Sequence, residues 1–310
     1  MILCCGEALI DMIPEKSASG QTAFVPHPGG AVFNTAIALG RLEIKTGMLT
    51  GLSTDLFGVQ LEQALAASSV DATPSIRSDL PTTLAFVQLD EGQATYTFYD
   101  ENSAGRMLDS PDIPELTPAV EALFFGGISL AVEPCADAYA DLLVRYARQK
   151  VIMIDPNIRP GFIRDDARYR QRLDRMLRSA DIVKVSDEDL DWILPGPQSL
   201  REKSQAIMGL GVSVVLVTRG TKGAVGFTAS GLDVSVPGLS VRVVDTVGAG
   251  DTFNAGVLAI LQESGALQRD TIAQVSEGTL AKALALGAQT AAITVSRAGA
   301  NPPRRDELLV

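Results

Sequence analysis

The sequence has one histidine, His27, and three cysteines among its 310 residues. Zinc sites with two or three histidines, HExxH proteases and serine hydrolase triads all need histidine in a defined context, so these chemistries are excluded. Cys4, Cys5 and Cys135 cannot form a disulfide framework, and we expect buried, reduced thiols. Prolines flank His27, which we expect in a loop. A general base in this chain is therefore expected to be a carboxylate.

Basic clusters and long apolar runs are also missing. The chain has 26 Lys and Arg residues against 37 Asp and Glu residues, with a formal net charge of -11. This balance argues against nucleic acid or an anionic membrane as the main partner. No apolar run reaches the roughly 18 residues of a membrane span, and no basic segment precedes an apolar stretch at the N-terminus. We therefore expect a cytoplasmic protein.

Short, continuous apolar runs recur along the chain, as expected for parallel strands that are covered on both faces. They comprise residues 1–5, 122–125, 151–154, 182–185 and 214–217. Segments of helix length and period separate them, at 135–149, 169–179 and 200–210. The pattern predicts an α/β fold with a central, mostly parallel sheet flanked by helices. The length fits a single domain over residues 1–310.

Two strand-like segments, 83–89 and 95–99, interrupt this series. The residues Asp90, Glu91 and Gly92 between them are typical of a hairpin turn. A hairpin inserted into a parallel series predicts a small separate sheet. We expect this sheet to form a lid over the edge of the main sheet, built from about residues 11–25 and 83–107. Its exposed edge could pair between two copies, which predicts a homodimer through the lid.

The most informative segment of the chain reads DTVGAGDTFNAG. Its residues Gly248, Ala249 and Gly250 form a flexible loop at the start of a helix predicted over 250–264. Backbone N–H groups at such a helix end suit a phosphate or a transferring phosphoryl group. Asp251 lies beside this anion site. An acid at this position is either a general base or a residue that balances the helix N-terminus, and both readings stay open.

The sequence does not match the other common nucleotide-binding motifs. The Gly-Lys pair of a Walker A loop occurs nowhere, and Phe253 takes the last glycine position of the GxGxxG fingerprint. A glycine cluster at 218–223 offers Lys222 to nucleotide phosphates, although a hairpin turn explains it equally well. An Ala- and Gly-rich helix predicted over 271–290 could pack closely on a sheet or on a flat ligand.

Polar residues near strand ends indicate a second binding region. Asp11 ends the run GEALID, and Asn34 lies in the first turn of an expected helix behind Gly29 and Gly30. Such side chains can bind sugar hydroxyls through paired hydrogen bonds, although each residue alone is typical of a turn or a helix cap. The segment DPNIRP follows the run 151–154, at an edge where open α/β sheets bind ligands. Its arginine suits anionic oxygens, with a structural turn as the alternative.

Together these motifs resemble the ribokinase/pfkB family of sugar kinases over essentially the whole chain. The resemblance rests on GE-x-LID, GG-x(3)-N, DPN-x-R and DTVGAGDTFNAG followed by helices, in the family's order and spacing. It implies a ribokinase-like fold and ATP-dependent phosphoryl transfer to a sugar hydroxyl. The segment FYDENSAGRML is similar to that of bacterial fructokinases, which implies D-fructose as the acceptor. Two alternatives stay open: 2-keto-3-deoxygluconate kinase, because Arg106 and Arg159 can equally hold a carboxylate, and a sensing protein that has lost turnover.

The resemblance also implies roles for individual residues. By this resemblance, Asp251 is expected to be the catalytic base, and Gly248, Ala249 and Gly250 are expected to form the anion hole. The sugar is expected to contact Asp11, Gly30, Asn34, Asn157 and Arg159, and the lid is expected to bring in Tyr99 and Arg106. The ATP is expected to contact Ser186, Thr218, Gly220, Lys222, Gly223, Gly250, Gly287 and Ala291.

The family's metal sites are less well matched. Where the family has Asn-x-x-Glu, this chain has Ser186 and Asp189, and we expect Asp189 to organise Mg²⁺ through water. A monovalent-cation loop, expected to hold K⁺, maps onto Asp245, Val247, Thr294, Arg297 and Gly299. Pro303 stands where a hydrogen-bonding residue is more usual, which counts against potassium dependence.

Overall fold

The computed structural model describes residues 1–90 and 93–308. Its strands are β1 (Ile2–Cys5), β2 (Leu9–Lys16), β3 (Thr22–Gly29), β4 (Thr46–Leu49), β5 (Gly51–Ser53), β6 (Val70–Asp71), β7 (Ile76–Ser78), β8 (Leu84–Asp90), β9 (Gln93–Tyr99), β10 (Ala122–Gly126), β11 (Val151–Asp155), β12 (Ile182–Ser186), β13 (Val214–Thr218), β14 (Ala224–Thr228) and β15 (Asp233–Val236). Its α-helices are α1 (Ala31–Arg41), α2 (Leu56–Ala67), α3 (Cys135–Tyr146), α4 (Asp166–Leu177), α5 (Asp187–Ile193), α6 (Leu200–Met208), α7 (Ala249–Glu263) and α8 (Glu277–Val295). Glu91 and Gly92 of the predicted hairpin turn lie outside the described residues.

Nine strands form the central sheet, in the order β15-β14-β13-β12-β11-β10-β1-β4-β6. The neighbouring pairs from β13 to β6 are parallel, whereas β14 pairs antiparallel with both β13 and β15 at one edge. Helices cover both faces, which explains why the strand sequences are continuously apolar. The predicted central, mostly parallel sheet is confirmed.

The two faces of this sheet carry separate hydrophobic cores. From β1, Ile2 and Cys4 belong to the core under α1, α2, α7 and α8, whereas Leu3 and Cys5 belong to the core that includes α3 to α6. The thiols of Cys4, Cys5 and Cys135 are buried and free, as predicted. Burial raises the pKa of each thiol, which keeps them protonated.

A second sheet has four strands, in the order β3-β2-β8-β9. The antiparallel pair of β8 and β9 is the predicted hairpin, and the expected segment 11–25 joins it through β2 and β3. Residues 100–107, which the predicted lid also included, form turns instead of strands. The expectation of a loop at His27 is wrong, because His27 lies in β3 opposite Asp11. Its neighbouring prolines are tolerated because β3 is an edge strand.

The C-terminal helices match their predicted positions only in part. α7 agrees with the predicted 250–264 within one residue. α8 begins six residues later than predicted, because Ile272–Gln274 forms a separate 3-10 turn and the Ser276 side chain caps α8 by accepting from Thr279 N–H. Among the helices in the described part of the chain, none is long and apolar enough to cross a membrane.

α7 and α8 pack at a point where two glycines face each other. A Cβ on Gly256 would lie 2.7 Å from the Cα of Gly287, and a Cβ on Gly287 would lie 2.8 Å from the Phe253 ring. Such a close approach of two backbones requires residues without side chains. Helix packing therefore explains the small residue at Gly287.

We expect Gly256→Ala to lower the free energy of unfolding by about 1–3 kcal/mol, because the added methyl group collides with helix backbone that cannot move independently. Urea denaturation measures the change. Gly278→Ala is the matched control, since a Cβ there meets nothing within 4 Å. The control should be as stable as the parent or up to about 1 kcal/mol more stable. Equal stability of the two variants would contradict the packing role.

Candidate active site

A cleft of about 690 Å³ lies between the carboxyl edge of the central sheet and the second sheet. The N-terminal turns of α1 and α7 also open into it. This is the edge at which open α/β sheets bind ligands. The cleft brings together predicted residues from four separate motifs, namely Asp11, Gly30, Asn34, Asn157, Arg159, Gly248, Ala249, Gly250 and Asp251.

The loop before α7 leaves the N-terminus of that helix open. Gly248 occupies the N-cap position with a φ of 81°, a left-handed conformation that glycine adopts without strain. Because glycine has no side-chain oxygen, it cannot cap the N–H groups of the first turn. The Ala249 N–H donates to the Thr246 carbonyl at 3.4 Å, which leaves the N–H groups of Gly250 and Asp251 and the positive end of the helix dipole for an anion in the cleft.

Asp251 lies in the first turn of α7 and is 7% exposed. Its Oδ2 accepts a hydrogen bond of 2.9 Å from Nδ2 of Asn34, and its backbone carbonyl accepts one of 3.1 Å from the Thr35 hydroxyl. Its side chain is thus bonded to α1. Burial raises the pKa of Asp251 to about 7, against the lowering effect of the Asn34 bond. A carboxyl group with this pKa can exchange a proton near neutral pH.

A buried ion pair lies beneath the loop. Nζ of Lys184 donates to Oδ2 of Asp155 at 2.8 Å, and Nδ2 of Asn254 donates to the same oxygen at 2.7 Å. A Cβ on Gly250 would lie 3.1 Å from the Lys184 ammonium group, so this charge is directly under residues 248–250, the expected anion-binding turn. The sequence motifs assigned Lys184 no role. The available signal was a lysine inside the otherwise apolar run of β12, where charged residues are rare.

Glu7 is a second residue that sequence reasoning missed. Its carboxylate accepts from the N–H of Ala31 at 3.0 Å and from the N–H of Ser129 at 3.3 Å. It therefore holds the start of α1 against the turn that follows β10. Gly127 passes over this carboxylate so closely that a Cβ would overlap with it. Burial raises the pKa of Glu7. The available signal was an acidic residue two positions after the end of the buried strand β1.

The second sheet presents Tyr96 and Phe98 of β9 to the cleft. The predicted Tyr99 is not among the described residues that line it. Side chains alternate across a strand, and Tyr99 lies on the face opposite to Phe98. Its ring is 60% exposed and packs edge-on against Phe86 at 5.4 Å. The geometry therefore favours Tyr96 and Phe98 as the aromatic residues of the site.

Arg106 lies behind the wall of the cleft. Its Nη1 donates to Oδ2 of Asp100 at 3.0 Å, and its Nε donates to the Glu133 carbonyl at 3.1 Å. Asp100 lines the cleft, whereas Arg106 is not among the described lining residues. This differs from the expected direct contact with the sugar, because the guanidinium group is held by Asp100.

The chain was compared with known proteins. A family model described as pfkB family carbohydrate kinase matches residues 1–307. The chain belongs to this family. It is also 50% identical to a fructokinase from Rhizobium leguminosarum bv. trifolii over 281 residues, which cover 90% of this chain and 85% of that protein.

Solved structures of similar kinases confirm the predicted ribokinase-like α/β fold. A fructokinase double mutant from Vibrio cholerae O395, bound to fructose, ADP and a potassium ion, has a TM-score of 0.83 and 28% identity. A fructokinase from Xylella fastidiosa with bound ATP has a TM-score of 0.84 and 27% identity. Each match covers 96% of this chain and 93% of the other chain. The chain is therefore a carbohydrate kinase, as the resemblance implied.

The ATP-binding residues expected in the kinase lie mostly outside the lining of the cleft. Thr218 ends β13, and Gly220–Lys222 forms a 3-10 turn with an exposed Lys222 before β14. Gly223 follows with a φ of 88° and packs against the backbone of residues 236–238. Gly287 and Ala291 lie on α8, where Gly287 faces α7. Their contact with ATP stays a prediction.

Asp189 has both carboxylate oxygens bonded to the backbone. Oδ1 accepts from Ile158 N–H at 3.2 Å, and Oδ2 accepts from Ser186 N–H at 3.4 Å. The Ser186 hydroxyl in turn accepts from Asp189 N–H, which completes a capping box at the start of α5. This arrangement favours a structural role and does not fit the expected Mg²⁺ ligand. Within residues 1–90 and 93–308, no group of three or more His, Cys, Asp and Glu side chains forms a candidate metal cluster.

The residues expected to hold K⁺ lie in the loop before α7, in the last turn of α8 and in the segment that follows α8. The Asp245 carboxylate accepts from the N–H of Val247 at 3.0 Å and from the N–H of Gly299 at 2.9 Å. The Arg297 N–H donates to the Thr294 carbonyl at 3.0 Å. The bond from Gly299 to Asp245 ties the loop before α7 to the segment after α8 and so helps to hold the turn at 248–250 in place.

Proposed function

We propose that this kinase transfers the γ-phosphoryl group of ATP to a hydroxyl group of D-fructose and releases ADP. The observation that carries the proposal is the buried carboxylate of Asp251 beside the open N-terminus of α7, inside a cleft large enough for a sugar. The 50% identity to a bacterial fructokinase supports fructose as the acceptor.

Asp251 acts as the general base. Its carboxylate, oriented by Asn34, takes the proton from the attacking sugar hydroxyl. The sugar oxygen forms a bond to the γ-phosphorus while the bond from that phosphorus to the β,γ-bridging oxygen breaks, and this oxygen leaves with the electron pair on ADP. Catalysis in such transfers rests on positioning and on charge stabilisation.

The first turn of α7 provides the charge stabilisation. N–H groups at the start of the helix are directed towards the place where the transferring phosphoryl group develops extra negative charge. Glycine at both positions lets this turn lie against its neighbours, because a Cβ on Gly248 would lie 2.8 Å from the Ala300 side chain and one on Gly250 would lie 3.1 Å from the Lys184 ammonium group.

Asp11, Asn34 and Asn157 line the remaining polar wall and are proposed to bind the sugar hydroxyls. One observation favours a second candidate acceptor. Arg159 also lines the cleft, where its Nη1 donates to the Ile158 carbonyl at 3.1 Å. Its guanidinium group could hold the carboxylate of 2-keto-3-deoxygluconate.

We also propose that ATP extends from the anion-binding turn towards the glycine-rich turn at 218–223, where Lys222 is exposed. Bound Mg²⁺ would neutralise charge on the ATP phosphates, to which it binds while keeping several waters. Potassium binding at the loops of Asp245 and Gly299 is a further proposal, supported by the potassium-bound fructokinase of Vibrio cholerae.

The mechanism predicts an acid limb in the pH profile of kcat/KM for fructose. Burial raises the pKa of Asp251 to about 7, so the base is protonated and inactive below that pH. We expect kcat/KM to fall about tenfold per pH unit below the limb and to level off above it. Steady-state assays across this range measure the profile. Asp11 also has a pKa raised to about 7 by burial, so Asp11→Asn is a control that should keep the limb.

Asp251→Asn completes this test. The variant should lose the limb, and its kcat at saturating fructose and ATP should fall at least about a hundredfold, roughly 3 kcal/mol of barrier. Its melting temperature at about pH 8 should not fall, because folding disfavours the ionised carboxylate above its unfolded pKa. A folded variant that keeps more than about a tenth of the parent kcat would show that Asp251 is not the base.

A panel of sugars tests the acceptor. We expect a kcat/KM for fructose at least about tenfold above that for 2-keto-3-deoxygluconate, a difference of about 1.4 kcal/mol. ADP release is the readout. The reverse order would support the second candidate, and no ADP release with any sugar would favour a sensing protein.

We further propose that two copies of the kinase associate through the second sheet. Its outer face carries an aromatic cluster in which Phe24 packs on Phe86 at 5.0 Å and Phe86 packs on Tyr99 at 5.4 Å. Phe24 and Tyr99 are both exposed. Exposed aromatic groups on a sheet with an open edge favour association.

Light scattering should therefore give about twice the chain mass of 32.7 kDa. Tyr99→Glu should give a monomer, because a charge would have to be buried in the interface. Val144→Glu, at an exposed apolar residue of α3, is the matched control and should stay dimeric. A monomeric parent, or dissociation of both variants, would contradict the proposed interface.

A further inference from the structure

The mechanism above leaves one pair of buried charges unused. Asp155 ends β11 and Lys184 lies in β12, and their side chains form an ion pair of 2.8 Å with exposures of 2% and 5%. Buried ion pairs contribute little net stability compared with apolar residues of similar size. A pair at the ligand-binding edge of the sheet is therefore a candidate for a functional role.

Two contacts connect this ion pair to the N-terminal part of α7, which carries Asp251. Asn254 lies one turn after Asp251 on α7 and donates to Oδ2 of Asp155 at 2.7 Å. The Lys184 ammonium group lies under Gly250, 3.1 Å from where a Cβ would be. The two charges act on Asp251 in opposite directions, since the Asp155 carboxylate raises its pKa and the Lys184 ammonium group lowers it.

Other elements around Asp251 contribute the remaining polar and charged groups. Glu7, between β1 and β2, also raises the pKa of Asp251, and Asn34 of α1 lowers it. Asp11 and Arg159 line the same cleft from β2 and from the segment after β11.

The element packed against α7 from the other side is α8, where the neutral hydroxyl of Thr290 donates to the Thr252 carbonyl on α7. Of the groups named here, Asp155 and Lys184 are the two that carry opposite charges and contact each other directly.

We propose that Asp155 and Lys184 are positioning residues that balance the charge beneath Asp251 and support the anion-binding turn. The inference rests on the proposed role of Asp251 as the base. With both charges present, their effects on Asp251 oppose each other, and the base can exchange a proton near neutral pH. Removal of either charge leaves the other unopposed next to the base.

The test compares pH profiles of kcat/KM for fructose in the parent and in two single variants. Asp155→Asn leaves Lys184 unopposed and should move the acid limb to lower pH by about one unit. Lys184→Gln leaves Asp155 unopposed and should move it to higher pH by a similar amount. In the double variant Asp155→Asn/Lys184→Gln, the limb should return to near its position in the parent.

Lys203→Gln is the matched control, because Lys203 is an equally buried lysine whose Nζ donates to Asp191 at 2.6 Å. It lies on α6 and should leave the limb in place. A purely structural role of the Asp155–Lys184 pair would lower stability or kcat without moving the limb in opposite directions. Shifts in the same direction, or no shift in folded variants, would overturn the proposal.

The same variants remain informative if Lys184→Gln does not fold or if Asp251 is not the base. If Lys184→Gln does not fold, the double variant must have its limb at higher pH than Asp155→Asn, and equal limbs overturn the proposal. If Asp251→Asn keeps the acid limb of the parent, the proposed base is wrong. A different result would contradict only the role of the ion pair: Asp251→Asn abolishes the acid limb, but substitutions at Asp155 and Lys184 do not move it.

Discussion

The arrangement of the cleft depends on the hydrogen bond between Asn34 and Asp251, which joins two helix N-termini far apart in the chain. α1 starts after Gly30 and α7 starts after Gly248, both with positive φ, so each helix begins at a sharp change of chain direction. The bond brings the two positive helix ends to one place. A buried carboxylate would be costly without a donor, and Asn34 provides one. The contact thereby holds the start of α1, on the proposed sugar-binding side of the cleft, against the start of α7, on the proposed phosphoryl-binding side.

The second constraint is an excess of buried acids around this contact. Glu7, Asp155 and Asp251 are all less than a tenth exposed, with Lys184 as the nearby buried cation. Glu7 is held by backbone N–H groups, and Asp155 is held by Lys184 and by an amide side chain. These acids have their donors in place, but each still raises the cost of ionising Asp251. Burial, together with these neighbouring acids, thus raises the pKa of Asp251, the proposed base, to about 7.

Much of the fold could be predicted because burial on both faces of a parallel sheet requires continuous apolar runs. The hairpin of β8 and β9 could be predicted because it interrupts that series of apolar runs. Three errors have local physical reasons. His27 lies in a strand because an edge strand tolerates proline. α8 starts late because its Ser276 cap overrides the helical pattern before it. Tyr99 faces away from the cleft because a strand alternates its side chains, and the sequence does not indicate which face is turned inwards.

The contact between the buried charges of the site could not be predicted from the sequence. Asp155 and Lys184 are both visible in the sequence, but neither has a spacing motif that indicates a partner. Their contact follows from the parallel register of β11 and β12, in which Ile154 is opposite Val183 and the next residue along each strand is one of the pair. Register is set by the packing of the whole sheet, so it cannot be read from either strand alone. A lone charge near the carboxyl end of an apolar strand is nevertheless informative, because its burial requires an opposite charge on a neighbouring strand at the ligand-binding edge.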